Sequence, residues 1–263
     1  MGVTKAIILA AGRGSRLHPY TEKIPKCLTE LAGRPLIEWQ VDAFQQASVE
    51  DIYIVAGYQE KKLNIPGTKK ILNPEWASTN MVESLFCAAP IFGDDLVVCY
   101  SDIIFEQTIL NQLIASKHDV SVVIDKKWRQ LWEFRFDNPL DDAESLRTDQ
   151  DGLITEIGNP VDDINSIMAQ YIGLMRFCKS GVGQLIEAKK NLSLNERGWK
   201  KTRPVQQAYM TDLLMEMILM EIPVHGVPIN GGWLEVDTVE DFHKYQNLIE
   251  QGDLGRFLVA PNF

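Results

Sequence analysis

The sequence predicts an α/β fold, in which a mixed, mostly parallel β-sheet is flanked by helices and carries a small antiparallel lobe. Short, continuous apolar runs, such as AIILAA at positions 6–11, are typical of parallel strands that are covered on both faces. Amphipathic helical segments follow such runs, as expected of βαβ units. Between 128 and 177 the pattern changes to short alternating segments separated by DNPLDD, TDQDG and GNPVDD, which predict the antiparallel lobe.

The elements are predicted in the following order. A strand at 5–10 precedes an amphipathic helix that begins at Pro35, and a second strand occupies 51–57. Asn80 then caps a helix, and strands follow at 96–100 and 120–124. The remaining predicted elements are alternating segments at 132–136 and 153–157, helices at about 181–192 and 204–220, strands at 224–228 and 233–236, and a last helix at 239–250.

Composition indicates one globular domain. The 263 residues, 45% of them hydrophobic, are enough for one large core, so we expect a single domain over 1–263 with the antiparallel lobe inserted at about 126–178. The net charge of −10 and the lack of a leader or a long apolar run favour a soluble protein in the cytoplasm without membrane contacts. The four cysteines are widely scattered, which predicts reduced thiols and no cysteine metal site.

The most informative segment is the loop after the first strand, within LAAGRGSRLHPYTEKIPKCLTELAGRPLIEW at 9–39. Ligands of open α/β sheets bind at the carboxyl ends of strands, and the small residues around Gly12 and Gly14 let a base and phosphates approach the backbone. Positions 5–34 carry six basic and two acidic residues, whereas the whole chain is acidic. This local charge predicts a site for a small anion and argues against a nucleic-acid surface. Spacing excludes both a dinucleotide fingerprint, because Leu17 replaces its third glycine, and a Walker A loop.

The longer pattern LAAGxGxRLxPxTxxxPKxLxxxxGxPLI resembles the nucleotidylyltransferase family, whose members join a nucleoside monophosphate to a sugar phosphate or a similar small phosphorylated acceptor. The resemblance extends to about position 250 and implies a Rossmann-like sheet of the nucleotide-diphospho-sugar transferase type. It implies that an acceptor phosphate oxygen attacks the α-phosphorus of a nucleotide and that pyrophosphate leaves. Lys26 is expected to bridge the two phosphates and Arg16 to hold the outgoing ones, as the catalytic residues. The residues expected to bind the nucleotide in this loop are Leu9, Ala10, Ala11, Gly12, Arg13 and Gly14.

Two aspartates are candidates for a magnesium site. Asp102 and Asp237 each follow a predicted strand, so both carboxylates are expected at the same edge of the sheet. Carboxylates that share an ion with substrate phosphates are typical ligands of Mg²⁺, and the resemblance places a metal-binding aspartate at each position. The alternative for Asp237 is a cap of the helix that begins near Val239, and the two roles are compatible.

A predicted helix supplies candidates for reading the base. Asn80 and Ser84 lie one helical turn apart and can present hydrogen-bonding groups to a pyrimidine. The segment resembles the Asn-x-x-x-Ser-Leu helix of the phosphocholine and 2-aminoethylphosphonate cytidylyltransferase branch. On its own, Asn80 is better explained as a helix N-cap.

The inserted lobe is expected to bind the acceptor. Family members that act on sugar 1-phosphates carry Glu-Lys-Pro and Asn-x-Gly-x-Tyr segments there, whereas the corresponding stretches at 156–160 and 170–174 are EIGNP and QYIGL. The lysine that grips a sugar phosphate is missing, which favours small acceptors with an amino group. Aromatic faces and carboxylates recognise such cations, although tryptophans in alternating segments usually belong to a core. The residues expected to bind the acceptor are Trp132, Glu144, Tyr171 and Asp212, the last with helix support as its alternative role.

Together these observations predict a magnesium-dependent cytidylyltransferase that uses CTP and a small amino-bearing phosphate or phosphonate. Phosphocholine is the first candidate acceptor, and 2-aminoethylphosphonate or a related phosphorylated amine or amino acid follows closely. A sugar 1-phosphate nucleotidylyltransferase that uses UTP, dTTP or CTP is the second hypothesis, and a non-catalytic nucleotide sensor is the third. The apolar tail at 254–263, with Leu254, Phe257, Leu258 and Val259, is expected either to close over the core or to pack on a second subunit of a homodimer.

Overall fold

The computed structural model of the protein describes residues 4–93, 95–194 and 204–259. The strands in these ranges are β1 (Thr4–Ala10), β2 (Glu30–Leu31), β3 (Arg34–Pro35), β4 (Asp51–Ala56), β5 (Thr68–Leu72), β6 (Asp95–Tyr100), β7 (Ile103–Phe105), β8 (Val120–Asp125), β9 (Leu146–Thr148), β10 (Ile154–Ile157), β11 (Gln170–Cys178), β12 (Val224–Ile229) and β13 (Trp233–Glu235). The α-helices are α1 (Leu36–Gln46), α2 (Met81–Cys87), α3 (Gln107–Ile114), α4 (Trp128–Arg135), α5 (Lys179–Leu194), α6 (Met210–Leu219) and α7 (Val239–Gln251). None of the helices in the described ranges is both long and apolar enough to cross a membrane.

Seven strands form the central sheet, in the order β12-β8-β11-β6-β1-β4-β5. β1 pairs in parallel with β4 on one side and with β6 on the other, and β12 pairs in parallel with β8. β11 runs antiparallel to both of its neighbours, β6 and β8. The sheet is therefore mixed and mostly parallel, as the sequence predicts. The two-stranded ladders β9–β10, β7–β13 and β2–β3 lie outside it.

Both faces of the central sheet are covered, which explains the continuous apolar runs. Along β1, Ala6 and Ile8 point into one core, while Ile7 and Leu9 point into the other. Buried residues of α1, α3, α4 and α7 belong to the first core, and those of α2, α5 and α6 belong to the second. Since successive side chains of a strand point to opposite faces, a strand buried on both sides needs apolar residues at every position.

The prediction of an alternating strand at 132–136 is wrong, because this segment belongs to the helix α4. The buried residues of α4 are Trp128, Leu131, Trp132 and Arg135. Their spacing of i, i+3, i+4 and i+7 is that of one helical face. Aromatic residues, which are enriched in strands, made the segment resemble one. The hairpin of β9 and β10 that follows is antiparallel, as the sequence predicts for the lobe.

Two boundaries differ from the sequence prediction. The segment 170–178, which was expected in the inserted lobe, is the central strand β11, so the insertion comprises 126–169. Helix α6 begins at Met210 instead of near 204. Tyr209 and Asp212 form a capping box at this point, which fixes the beginning of the helix.

The described part of the C-terminal tail packs on the core of its own chain. Leu254 and Leu258 are buried. The ring of Phe257 lies 4.9 Å from the ring of Phe134, measured between centroids. The described part of the tail therefore closes over the core, and packing of the tail on a second subunit stays a prediction.

The strand order reverses at β1, and this reversal determines where a ligand can bind. From β1 the chain continues to β4 on one side and later to β6 on the other. In open α/β sheets a crevice lies outside the carboxyl ends of the strands at such a switch point. The loop after β1, with Gly12 and Gly14, and the turn after β6, with Asp102, flank this crevice.

Candidate active site

The loop after β1 is shaped around Lys26. Gly14 has a left-handed backbone conformation, with a φ of 66°, which residues with a Cβ atom adopt only at a cost in energy. A Cβ atom at Gly14 would lie 2.7 Å from the Cβ atom of Lys26. The Gly14 carbonyl accepts a hydrogen bond of 2.8 Å from the hydroxyl of Thr21. Glycine at this position therefore permits both the turn and the close passage of the Lys26 side chain.

Lys26 lies between two carboxylates. Its Nζ atom is 2.7 Å from Oδ2 of Asp102 and 2.5 Å from Oδ1 of Asp237. Lys26 is only 8% exposed and Asp237 only 5%. Burial lowers the pKa of Lys26, but the charges of Asp102 and Asp237 raise it by more, so the pKa lies above its usual value. Lys26 therefore carries its positive charge at neutral pH.

A short ladder brings the two aspartates together. Asp102 precedes β7 and Asp237 follows β13, and these strands pair antiparallel, with Glu235 opposite Ile103. The backbone N–H of Val236 also donates to the Asp102 carbonyl at 2.9 Å. Since β13 lies outside the central sheet, the proximity of the aspartates depends on this ladder and not on two neighbouring strands of the main sheet.

Arg16 lies on the solvent side of Lys26, Asp102 and Asp237, and these four residues form a charged cluster. Its NH1 atom is 2.6 Å from Oδ2 of Asp237 and 3.7 Å from Oδ1 of Asp142, and its side chain is 66% exposed. Burial raises the pKa of Asp237, but Lys26 and Arg16 lower it by more, so the pKa lies below its usual value. The cluster thus combines two cations with two carboxylates at one edge of the sheet, and the carboxylates hold Lys26 and Arg16 in fixed positions where they can contact phosphate oxygens.

A cavity of about 240 Å³ opens beside this cluster. The sequence-predicted residues that line it are Leu9, Ala11, Gly12, Gly14, Arg16, Lys26, Asn80, Ser84, Asp102 and Asp237. Two residues that were predicted to bind the nucleotide do not line it. Ala10 is buried, and the guanidinium of Arg13 lies 5.6 Å from the centre of the Tyr58 ring.

The side chains of Asn80 and Ser84 have different surroundings. Asn80 caps α2, because its Oδ1 atom accepts the N–H of Met81 at 2.9 Å. The Ser84 hydroxyl oxygen accepts a hydrogen bond of 3.0 Å from the buried amide of Asn73, which also donates to Thr79 at 2.9 Å. Since a hydroxyl can both accept and donate, Ser84 retains its hydrogen as a donor for a ligand in the cavity.

Trp76 and Tyr100 also line the cavity, although no motif in the sequence predicts either residue there. The Trp76 ring lies 5.3 Å from that of Tyr58 in an edge-on arrangement. Gly57 leaves room for Trp76, because a Cβ atom there would lie 2.5 Å from the tryptophan side chain. In the sequence, only the position of Trp76 shortly before the N-cap Asn80 indicates that its side chain could lie at the site.

Tyr171 lies behind Tyr100, with 5.6 Å between the ring centroids. The ladder of β11 with β8 is irregular between Tyr171 and Met175. Gly173 lies in this irregularity with a φ of 82°, and a Cβ atom there would lie 2.5 Å from the Tyr100 side chain. Burial raises the pKa of Tyr100 well above its usual value, and Tyr171 and the half-buried Glu144 add to the effect. Tyr100 therefore keeps its hydroxyl proton and can donate it in a hydrogen bond.

Two residues predicted to bind the acceptor are engaged elsewhere. Trp132 is 4% exposed, and its ring packs 5.3 Å from the guanidinium of Arg135 and 6.0 Å from the ring of Trp233. Asp212 accepts the N–H of Tyr209 at 2.9 Å in the capping box of α6. The structure therefore places Trp132 in the core and shows that Asp212 supports the beginning of α6, while a contact of Asp212 with the acceptor stays a prediction.

The donor set at the cluster fits a magnesium ion. The carboxylates of Asp102 and Asp237 converge on one nitrogen atom, and Oδ1 of Asp102 is buried without a hydrogen-bond partner among the described residues. Within those residues no group of three or more His, Cys, Asp or Glu could hold a metal ion. Further oxygen ligands would therefore come from substrate phosphates and water, as is common for Mg²⁺.

The chain is similar to several known proteins. The model of the MobA-like NTP transferase domain matches residues 6–160. The CTP:phosphoglutamine cytidylyltransferase of Campylobacter jejuni is 34% identical over 247 residues, which cover 90% of this chain and 96% of that protein. The choline-phosphate cytidylyltransferase of Streptococcus pneumoniae is 32% identical over 118 residues, which cover 43% of this chain and 52% of that protein. A solved structure of CTP:phosphocholine cytidylyltransferase from Streptococcus pneumoniae has a TM-score of 0.73 at 20% identity and covers 94% of this chain and 99% of that one, which shows a shared fold.

Proposed function

Since the chain belongs to the family of MobA-like NTP transferase domains, we propose that this nucleotidyltransferase transfers CMP from CTP to a small phosphorylated acceptor that bears an amino group. The observation that carries the proposed reaction is the convergence of Arg16, Lys26, Asp102 and Asp237 at the switch point of the sheet. The choice of CTP rests on similarity, because a CTP-dependent relative is 34% identical over nearly the full length of both chains.

The reaction forms one bond and breaks one. An oxygen of the acceptor phosphate attacks the α-phosphorus of CTP, the bond from this phosphorus to the β-phosphate oxygen breaks, and pyrophosphate leaves with the electron pair. Lys26 is held by two carboxylates and stays charged, so it is placed to bridge the α-phosphate and the acceptor phosphate. Arg16, with its exposed guanidinium, is placed to hold the departing phosphates. Such fixed charges supply most of the catalysis in a reaction that brings several anions together.

We propose that the enzyme depends on Mg²⁺, which Asp102 and Asp237 would hold. When bound, the ion would neutralise phosphate charge. The aspartates meanwhile keep Lys26 and Arg16 in position, since each cation lies within hydrogen-bonding distance of Asp237.

The cavity beside the cluster is suited to the base and ribose of CTP. Leu9, Ala11 and Gly12 line it, and the small residues Ala11 and Gly12 let a flat ring approach closely. Ser84 donates its hydroxyl hydrogen, since its oxygen already accepts from Asn73. A donor at this place suits a pyrimidine carbonyl oxygen.

For the acceptor we favour phosphoglutamine, with phosphocholine and 2-aminoethylphosphonate as further members of the same chemical class. The similarity that spans 96% of the relative is to a phosphoglutamine enzyme, whereas the similarity to the choline-phosphate enzyme spans 52% of that protein. Tyr100, Tyr171 and Glu144 form the aromatic and acidic group next to the cluster, and such groups recognise ammonium ions.

The four cysteines are all free thiols, which is consistent with the cytosolic location that we propose.

The test is pyrophosphate release by the purified protein with CTP, Mg²⁺ and one acceptor at a time, namely phosphoglutamine, phosphocholine, 2-aminoethylphosphonate or glucose 1-phosphate. UTP and dTTP replace CTP in parallel reactions, and the Lys26→Met variant is the matched blank. We expect release with CTP and an amino-bearing acceptor. Release with the sugar phosphate alone, or with UTP or dTTP in preference to CTP, would contradict the proposal.

A further inference from the structure

A buried arginine of the inserted lobe lies directly behind Asp237. Arg135 is the last residue of α4, and its side chain has no exposed surface. Its Nε atom is 3.0 Å from Oδ1 of Asp241, and its NH2 atom is 3.1 Å from Oδ2 of the same residue. Its NH1 atom is 2.5 Å from Oε2 of Glu235. Arg135 therefore holds one carboxylate with a bidentate pair of bonds and a second carboxylate with the remaining nitrogen.

Asp241 in turn holds the backbone of Asp237. Its Oδ2 atom accepts the N–H of Asp237 at 3.1 Å and the N–H of Thr238 at 3.0 Å. The N–H of Asp241 donates to the Thr238 hydroxyl at 3.0 Å, which completes the capping box of α7. A capping box accounts for the contacts with Thr238. A capping box requires neither the hydrogen bond from the Asp237 N–H to Asp241 nor the buried guanidinium of Arg135 next to the Asp241 carboxylate.

We propose that Arg135 is a positioning residue for the transfer reaction, which acts through Asp241 and Glu235 on the segment that carries Asp237. This inference rests on the proposed function for its kinetic part. The carboxylate of Asp237 contacts both Lys26 and Arg16, so a shift of its backbone would move both cations. Burying a guanidinium has a large desolvation cost and is often neutral for stability. A positional role therefore accounts for this arginine better than a stabilising one.

The arrangement also joins the inserted lobe to the site. α4 belongs to the insertion at 126–169, whereas Asp237 and Asp241 lie 102 and 106 residues after Arg135. Lys244 of α7 donates to the carbonyls of Phe134 and Arg135, at 2.9 and 2.8 Å. The α4 helix is thus bonded to α7 both through its backbone carbonyls, which accept from Lys244, and through the Arg135 side chain, which contacts Asp241. A displacement of the lobe would therefore shift the backbone of Asp237 through these contacts.

The test compares Arg135→Lys with Arg176→Lys. Lysine keeps the charge but cannot form the bidentate pair. Arg176 is a matched control, because it pairs with Asp95 at 2.8 Å, both side chains are only 13% exposed, and Asp95 lies at the end of β6 away from the site. Asp241→Asn is a second variant that keeps the shape of the side chain and removes its charge. Urea unfolding establishes that each variant is folded at the assay temperature.

The first measurement is hydrogen–deuterium exchange over 236–241, which needs neither substrate nor metal. We expect exchange there to be about tenfold faster in Arg135→Lys and Asp241→Asn than in Arg176→Lys, since the bonds to Asp237 and Thr238 weaken. The second measurement is steady-state kinetics. We expect kcat to fall by about 10-fold to 100-fold in the first two variants, as for residues that orient a ligand-binding carboxylate, while the KM for CTP stays within about threefold.

Each outcome decides the inference. Equal exchange over 236–241 in Arg135→Lys and Arg176→Lys would overturn it, and so would faster exchange with the kcat of the control. A folded wild-type protein that is inactive with every acceptor would refute the proposed function instead. In that case the exchange result alone would decide whether Arg135 positions Asp237.

Discussion

Substitution of Gly14 by alanine tests the close packing of the loop after β1 on Lys26. The new Cβ atom would lie 2.7 Å from Cβ, 2.9 Å from Cδ and 3.0 Å from Cγ of Lys26. These are atoms of the lysine stem, which cannot move without moving the charged end. Gly33 provides a matched control. Its φ of 73° is similar, but nothing lies within 4 Å of a Cβ atom placed there.

The two substitutions share one energetic effect and differ in another. Alanine in the left-handed conformation costs about 1–2 kcal/mol at either position. Gly14→Ala adds the overpacking against Lys26, which costs about 1–3 kcal/mol. Lys26 Nζ is 2.7 Å from Asp102 and 2.5 Å from Asp237, so relief of the overlap moves it away from at least one carboxylate. A shift of about 1 Å in a reacting group can cost about 100-fold in rate.

The assays are urea unfolding and pyrophosphate release at saturating CTP and acceptor. We expect Gly33→Ala to lose stability while its kcat stays close to that of the wild type. Gly14→Ala should lose more stability and about 100-fold in kcat. If the two variants have the same kcat when both are folded, the contact between Gly14 and Lys26 does not control the position of the ammonium group.

The remaining predictions concern the cation, the base and the acceptor. Lys26→Met should lower kcat by about 100-fold to 1,000-fold while the protein remains folded, and single-turnover transfer within tenfold of the wild-type rate would contradict its role. Ser84→Ala should raise the KM for CTP by about fivefold, the equivalent of one hydrogen bond of about 1 kcal/mol, and leave the KM for the acceptor unchanged. Initial rates at varied concentrations of CTP and of acceptor measure both values. An equal rise in the two KM values would exclude a specific contact with the base. Tyr171→Ala should raise the KM for the acceptor, because it removes an aromatic face from the group proposed to bind the ammonium ion. Trp132→Ala should leave this KM unchanged and instead lower the free energy of unfolding by about 3–5 kcal/mol; the opposite pattern in kinetics and urea unfolding would return Trp132 to the acceptor site.

Individual strands, helix caps and the loop after β1 could be predicted from the sequence, because each of these features depends on residues that are close together in the chain. The apolar run of β1 and the cap at Asn80 are of this kind, and so is the close packing of glycines and small residues around the crevice. The α4 segment shows how local patterns fail. Trp128, Leu131, Trp132 and Arg135 have helical spacing, but their aromatic composition favoured a strand, and tertiary packing decided between the two.

The rest of the site depends on contacts between distant parts of the chain. Asp102 and Asp237 meet because β7 pairs with β13, and no local pattern specifies that ladder. Arg135 reaches Asp241 from the inserted lobe, 106 residues away. Trp132 was expected to face an ammonium ion, but its ring packs on the guanidinium of Arg135. Long-range pairing of this kind is invisible to periodicity, which reports only which face of an element is buried.

The most direct test of the proposed function is phosphorus NMR of the wild-type protein incubated with CTP, Mg²⁺ and phosphoglutamine. We expect the three CTP resonances to be replaced by those of pyrophosphate and of a new diphosphate diester, in equal molar amounts. Parallel samples contain phosphocholine or 2-aminoethylphosphonate. Release of inorganic phosphate without a diester, or unchanged CTP with every amino-bearing acceptor, would refute cytidylyl transfer as the function.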